Sequence, residues 1–332
     1  MNIVWVHHQI QRRLRPSFPA FLRLAFVLLL ACILWAPAAR AQPLKVVTSF
    51  SIIADLVKQV GGENVDVTPL VKPGSDAHMF EPTAQDARIL AQADILFING
   101  LGFEPWMQRL KHAAGFNGTE ITVSENIAPL AFHEQAHDGK SESIHGHEQH
   151  AHHEHHELDP HAWQDVRNVV IYVQNIAVAL AIADPSNAQH YTQRAQAYIA
   201  QLEALDRKIR ESIESLPENH RILITTHDAF SYFGHAYGLT IIASMGTSSD
   251  EEPSAADIAR LINQIRTVQA PAVFLENVMN PALMQQVTRE TSAVLGGELY
   301  SDALSEPGTA ADTYIGMMEH NLETLMQALS AH

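Results

Sequence analysis

Four short segments of this sequence each place a metal-capable side chain in a tight turn or just after a β-like run. They are Pro73-Gly74-Ser75-Asp76-Ala77-His78, Leu158-Asp159-Pro160-His161-Ala162-Trp163, Thr225-Thr226-His227-Asp228-Ala229-Phe230 and Tyr300-Ser301-Asp302-Ala303-Leu304. In open parallel sheets, ligands bind beyond the carboxyl ends of the strands, where side chains from separate segments can converge. Singly, each segment is weak. A lone histidine in a loop is ordinarily a surface residue, and Asp302 alone reads equally well as a helix N-cap. Their joint occurrence in order is what points to a metal site.

The elements that must position these residues alternate between β-branched runs and helical periods. Lys45–Thr48 reads as a strand and Ile52–Val60 as a helix ending at Gly61-Gly62. Val65–Val71 reads as a strand, Pro82–Ala91 as a helix, and Asp94–Ile98 as a buried strand running into the Asn99-Gly100 turn. Alternation of this kind specifies βα units and a mainly parallel sheet. Helical periodicity returns at Asp165–Ala183, and Asp184-Pro185 opens a longer helix. Its apolar positions are Tyr191, Ala195, Tyr198, Leu202, Leu205, Ile209, Ile213 and Leu216, a single stripe among charged residues. A helix of about 30 residues spans roughly 45 Å, more than one small lobe needs, so it reads as a rigid strut.

After Pro217 the alternation resumes. Strands are expected at Ile222–Thr225, Leu239–Ala243, Ala272–Leu275 and Glu298–Tyr300, with helices at Ser254–Val268, Pro281–Val294 and Thr309–Leu329. The fold class is therefore α/β, with two lobes, each a mainly parallel sheet flanked by helices, joined by one long rigid helix. The expected division is a lobe at 42–184, a linking helix at 185–216 and a second lobe at 217–332.

Residues 133–157 interrupt the first lobe. They contain nine histidines, six acids and one lysine, with Ile144 the only large aliphatic side chain. Such a stretch cannot bury enough surface to offset its ordering entropy and is expected to be a disordered loop. Its His145, His147, His150, His152, His153, His155 and His156 are candidates for weak auxiliary metal binding. The expectation is a loop that collects metal at low concentration and is not needed for a tight site.

Residues 1–41 carry five arginines and no acid, then an apolar run from Leu24 to Trp35, and close on Ala39-Arg40-Ala41. This pattern is that of a secretory signal peptide cleaved after Ala41. The run is short for a membrane span, which takes about 20 apolar residues. A second reading is lipidation at Cys32, in Leu29-Leu30-Ala31-Cys32. Cys32 is the sole cysteine, so disulfides and thiolate ligation are excluded from the rest of the chain. Loss of the five arginines takes the formal charge from −16 to −21. That balance argues against nucleic-acid binding, which needs a basic patch, and suits a protein that attracts cations.

Taken together, PGSDAHMFEPT at 73–83, NGLGFEPW at 99–106, LDPHAW at 158–163, TTHDAFSYF at 225–233 and YSDALSEPG at 300–308 resemble a known family. The chain is similar, over about residues 44–329, to the metal-specific solute-binding proteins of ABC importers, in the zinc (ZnuA-type) branch. The resemblance implies His78 and His161 as ligands from one lobe and His227 and Asp302 from the other, with the ion between them. Asp76, Glu81, Asp159 and Glu276 lie near these positions and could orient the imidazoles through their second ring nitrogens.

Three imidazoles and a carboxylate offer Zn²⁺ four N/O ligands, leaving no open position for a water nucleophile; this favours carriage over catalysis. The one H-E-x-x-H string, His133-Glu134-Gln135-Ala136-His137, falls in the histidine-rich stretch expected to be disordered and not on a helix, so a secreted zinc hydrolase has little support and no enzymatic activity is expected. Manganese-binding relatives tend to carry Glu where this chain has His227, and imidazole suits Zn²⁺ better than Mn²⁺. The expected function is capture of Zn²⁺ in the periplasm for an ABC permease and its ATPase, by a monomer, with a zinc metallochaperone as a further candidate partner. The alternatives are a manganese-binding protein of the same family and a secreted zinc store or adhesin.

Overall fold

The computed structural model describes residues 42–131, 158–247 and 253–330. The expectations for the leader, for Cys32 and for the histidine-rich segment fall outside the described residues.

The first strand, β1 (Leu44–Phe50), turns directly into α1 (Ser51–Gly61), whose Ile52, Ile53, Leu56, Val57 and Val60 are all buried. β2 (Val65–Val71), α2 (Ala84–Leu90), β3 (Ile95–Ile98), α3 (Met107–Ala114) and β4 (Thr119–Thr122) complete a sheet of order β2-β1-β3-β4. Every pairing in it is parallel, as the βα alternation requires. α2 starts at Ala84 rather than Pro82. Thr83 caps it in a capping box with Asp86, whose side chain takes the Thr83 N–H at 2.7 Å.

α4 (Val166–Ala183) follows, and after a short 3₁₀ turn at Pro185–Asn187 comes α5 (Ala188–Glu214), 27 residues long. The buried face of α5 is Tyr191, Ala195, Tyr198, Leu202, Leu205, Ile209 and Ile213, the stripe expected from the sequence. α5 links the two lobes and packs on α1 and α4 from one of them.

The second lobe contains β5 (Ile222–Thr225), α6 (Ser231–Tyr237), β6 (Thr240–Ala243), α7 (Ala255–Val268), β7 (Ala272–Glu276), α8 (Ala282–Glu290), β8 (Val294–Leu299) and α9 (Tyr314–Ser330). β5 pairs with β6 and β7 with β8, both in parallel, and β5 lies beside β7. Side-chain alternation divides the strands between two apolar clusters. Leu223, Ala272 and Phe274 join the large cluster that runs on through α5, α4 and α1, while Ile224 and Val273 face a smaller one with Ile265, Met284 and Val287.

Further boundaries differ from the sequence reading. The helix expected over 281–294 stops at Glu290, and 294–299 is strand. The Gly296-Gly297 pair, which precedes the expected strand at Glu298–Tyr300, lies inside β8 at a register shift in the β7–β8 ladder. A Cβ on Gly296 would lie 2.6 Å from the Phe274 ring, so the strand passes too close for any side chain there. The closing helix begins at Tyr314 rather than Thr309. Residues before it turn through Gly308, whose φ is +87°, with the Gly308 N–H donated to Asp312 Oδ2. β4 and α3 were not foreseen.

From Pro43 onward the chain is one compact unit, and polar contacts tie its lobes together. The Tyr314 N–H, at the start of α9, donates to Asp55 Oδ2 on α1 at 2.8 Å, and the Tyr314 hydroxyl donates to the Trp163 carbonyl at 2.8 Å. Asp55 thus caps a helix of the opposite lobe. Asp55→Ala should cost about 1–3 kcal/mol of stability, the usual toll for leaving a buried donor unpaired, measured by urea denaturation of the metal-free protein. An unchanged midpoint would show the contact to be dispensable.

Candidate metal centre

Each of the four candidate side chains sits where a backbone segment is fixed from outside its own loop. His78 lies in the turn after β2. Its loop is held by the Gly74 N–H donating to the Leu304 carbonyl of the other lobe (2.8 Å) and by the Trp106 indole donating to the Ala77 carbonyl (3.0 Å). Asp76 Oδ1 accepts the His78 backbone N–H at 2.8 Å, and the Phe103 ring stands edge-on to the imidazole with centroids 4.8 Å apart.

His161 and His227 share one device. Asp159 Oδ1 accepts the backbone N–H of His161 at 2.9 Å and lies 2.8 Å from its ring Nδ1. Glu276, at the end of β7, accepts the backbone N–H groups of Thr226 and His227 through Oε1 (2.9 and 3.0 Å), while its Oε2 lies 2.5 Å from His227 Nδ1. In both cases a buried carboxylate engages Nδ1 and leaves Nε2 to face the centre, the orientation a metal ligand needs.

Asp302 follows β8. The carbonyl of Ser301 beside it accepts from the Trp163 indole (2.8 Å) and from Gln164 Nε2 (2.9 Å). The loop carrying Asp302 is therefore tied across the lobes to the loop carrying His161.

These anchors bring the four groups together. One ligand atom from each of His78, His161, His227 and Asp302 falls within 4.8 Å of all the others. His78 Nε2 is 3.3 Å from His161 Nε2 and 3.4 Å from Asp302 Oδ2, His227 Nε2 is 3.1 Å from Asp302 Oδ2, and His161 Nε2 is 3.5 Å from Asp302 Oδ1. An ion held tetrahedrally at roughly 2.0–2.1 Å has donor–donor edges of about 3.3–3.4 Å, so the cluster has the dimensions of such a shell. Asp302 Oδ1 is buried yet accepts no hydrogen bond from the described residues. The side chains of His161, His227 and Asp302 have 0 % exposure and that of His78 has 7 %, so His78 is the member nearest solvent.

Burial opposes charge on His227, but the carboxylates of Glu276 and Asp302 outweigh it and hold the imidazole pKa well above its ordinary value. Burial likewise opposes the Asp302 carboxylate, and His227 and His161 outweigh it, so its pKa lies well below the usual range. Without metal, the centre is an imidazolium–carboxylate pair out of water.

The four residues singled out in the sequence are thus adjacent in space. Of the four suggested as orienting carboxylates, Asp159 and Glu276 contact ring nitrogens, and Asp76 bonds the His78 backbone. Glu81 is exposed and makes no hydrogen bond or ion pair with the four among the described residues. Sequence reasoning missed Phe103, Trp163 and Gln164 as parts of the site. Their signal was present only as aromatic and amide residues inside the recognised motifs.

Comparison with known proteins then decides the family. The profile described as zinc-uptake complex component A, periplasmic, matches residues 46–328. The chain belongs to this family. Its members are solute-binding transport proteins. Among relatives, the manganese-binding lipoprotein MntA of Halalkalibacterium halodurans is 34 % identical over 290 residues, covering 87 % of this chain and 89 % of that one. Among solved structures, the periplasmic zinc-binding protein TroA of Treponema pallidum is 35 % identical with a TM-score of 0.75, covering 87 % of this chain and 99 % of that one. The manganese-bound periplasmic metal-binding protein of Candidatus Liberibacter asiaticus is 29 % identical with a TM-score of 0.74, covering 86 % and 99 %.

The charge state of the metal-free centre is testable. A His227 pKa raised on folding contributes stability that is complete below the unfolded value, near 6.5, and is lost as pH rises through the folded value. A depressed Asp302 pKa contributes stability above its unfolded value, near 3.9, and loses it as pH falls through the folded one. Histidine-ring NMR of the metal-free protein should show one imidazole still protonated well above pH 6.5. Glu276→Gln should lower that pKa; an ordinary titration in the unaltered protein would contradict the assignment.

Proposed function

We propose that this protein captures Zn²⁺ outside the cytoplasm with His78, His161, His227 and Asp302 and delivers it to an ABC permease driven by its ATPase. The observation that carries the reading is the convergence of three Nε2 atoms and a carboxylate from two lobes, at separations suited to a tetrahedral ion. Family membership supports the transport role. The anchored imidazoles support a preformed site, since rings fixed through Nδ1 need little ordering when the metal arrives.

Zinc is favoured over manganese by donor chemistry. Three imidazoles form a borderline set that suits Zn²⁺, which also outranks Mn²⁺ in intrinsic affinity for N/O sites. The second reading, manganese, draws on a relative named for that metal in H. halodurans and on a manganese-bound structure of the periplasmic metal-binding protein of Ca. Liberibacter asiaticus. A four-coordinate shell with no open position suits a carrier rather than a hydrolase. The histidines of 133–157 would serve as weak collectors beside the tight site, and a soluble metallochaperone is a candidate source of the ion. A store or adhesin role would instead need several equivalent sites. The protein is taken to act as a monomer.

An extracytoplasmic position is common to both readings of the leader. Relatives named as lipoproteins favour acylation at Cys32 over cleavage after Ala41. Cys32→Ser expressed in cells should then move the protein from the membrane to the soluble fraction. A protein that is soluble before the change would instead support the cleaved form.

Metal content after equilibrium dialysis tests the central reading. The unaltered protein should hold one tightly bound zinc. Asp302→Ala should weaken it by at least ten-fold, and His227→Glu should narrow the preference for zinc over manganese. A chain that retains manganese in preference to zinc would overturn the choice of metal.

A further inference from the structure

The segment Asn99–Trp106 contributes no ligand, yet it touches the supports of both histidines in the first lobe. From the geometry we infer that this segment is a positioning element that fixes the spacing between His78 and His161, and through it the coordination number offered to the ion. The inference rests on the metal-site reading above.

Three contacts carry it. Asn99 Nδ2 donates to the carbonyl of Pro160, the residue before His161, at 2.9 Å. The Phe103 ring stands edge-on to the His78 imidazole at 4.8 Å, and its centroid is 6.1 Å from that of His161. The Trp106 indole donates to the carbonyl of Ala77, the residue before His78. One eight-residue segment therefore grips the peptide preceding each histidine and wedges an aromatic ring against both imidazoles.

The segment is itself locked. Glu104, buried, accepts the Asn99 N–H through Oε1 (2.6 Å) and the Gly100 N–H through Oε2 (3.1 Å). Burial raises its carboxyl pKa to about 7 against those hydrogen bonds. The backbone at Gly100 has φ +84°, and a Cβ there would meet Thr122 Cγ2 at 2.5 Å, so the turn admits only glycine. Leu101 also has positive φ (+55°), an uncommon conformation for a branched side chain.

Partner chemistry settles the Asn99 amide orientation. The Pro160 and Gly100 carbonyls can only accept, so the NH₂ must face them, which turns Oδ1 to the Tyr172 hydroxyl at 2.7 Å. Tyr172 on α4 thereby sets the donor that holds Pro160. No other atom of Asn99 can replace it.

A positioning role and a merely structural one differ in their signatures. Loss of an outer partner of a metal ligand typically costs 10–100-fold in affinity. Asn99→Ala should weaken zinc binding on the order of ten-fold and shift the ligand-field absorption of the Co²⁺-loaded full chain away from the four-coordinate pattern. Phe103→Leu, which keeps an apolar side chain, should do the same through His78 and serves if Asn99→Ala does not fold. Val287→Ala, in the separate apolar cluster, is the control, expected to lower Tm without moving the Co²⁺ spectrum. If Asn99→Ala and Phe103→Leu both lower Tm but keep the spectrum and the affinity of the unaltered protein within two-fold, the inference is overturned. Failure of the unaltered protein to bind one tight ion would instead sink the metal-site reading itself.

Discussion

A carboxylate without solvent exposure must be compensated by other charges or by hydrogen bonds, and at Asp302 the compensation comes from imidazoles of both lobes. This requirement organises much of the rest of the molecule. His227 reaches Asp302 because Glu276 takes its backbone N–H and flanks its ring. His161 reaches it because Asp159 does the same job and because Trp163 and Gln164 fasten the adjoining loop to the Ser301 carbonyl. Metal-free, the centre is held by an imidazolium–carboxylate pair. A divalent cation would replace the imidazolium proton with a charge that all four ligands can face.

The lobes share a single apolar cluster running through α1, α4, α5 and the inner face of the β5–β8 strands. Cross-lobe polar contacts join Asp55 to the start of α9 and Gly74, in the His78 loop, to Leu304, in the Asp302 loop. An interface so buried and so well bonded resists wide opening, because separating the lobes would expose both apolar surface and unpaired donors. Of the four clustered side chains, His78 is the one with solvent exposure.

Much of this was legible in the sequence, for identifiable reasons. The stripe from Tyr191 to Ile213 repeats every three or four residues through most of the 27-residue α5, a signal too long to arise from a strand or loop. The four candidate positions were legible because His227 and Asp302 closely follow the ends of β5 and β8, while His78 and His161 sit in loops within distinctive motifs. Asp159 was legible as the residue two before His161 in the same motif, whereas the pairing of Glu276 with His227 Nδ1 was not, since the two lie 49 residues apart. β4, only four residues with alternating polarity, carried too little pattern to register. The first half of β8 was not legible because Gly296-Gly297 carries no side-chain pattern, whereas close packing of Gly296 on Phe274 and of Gly297 on Thr324 leaves little room for side chains there. Asn99, Phe103 and Trp106 were legible as a motif, but the contacts that give them a role are long-range in sequence.

X-ray absorption fine structure of the zinc-loaded full chain tests the central claim most directly. The account predicts about four N/O scatterers near 2.0–2.1 Å, with the outer-shell pattern of three imidazoles and the loss of one in His161→Ala. A shell of five or six ligands at longer distance, or one with fewer than two imidazoles, would contradict it.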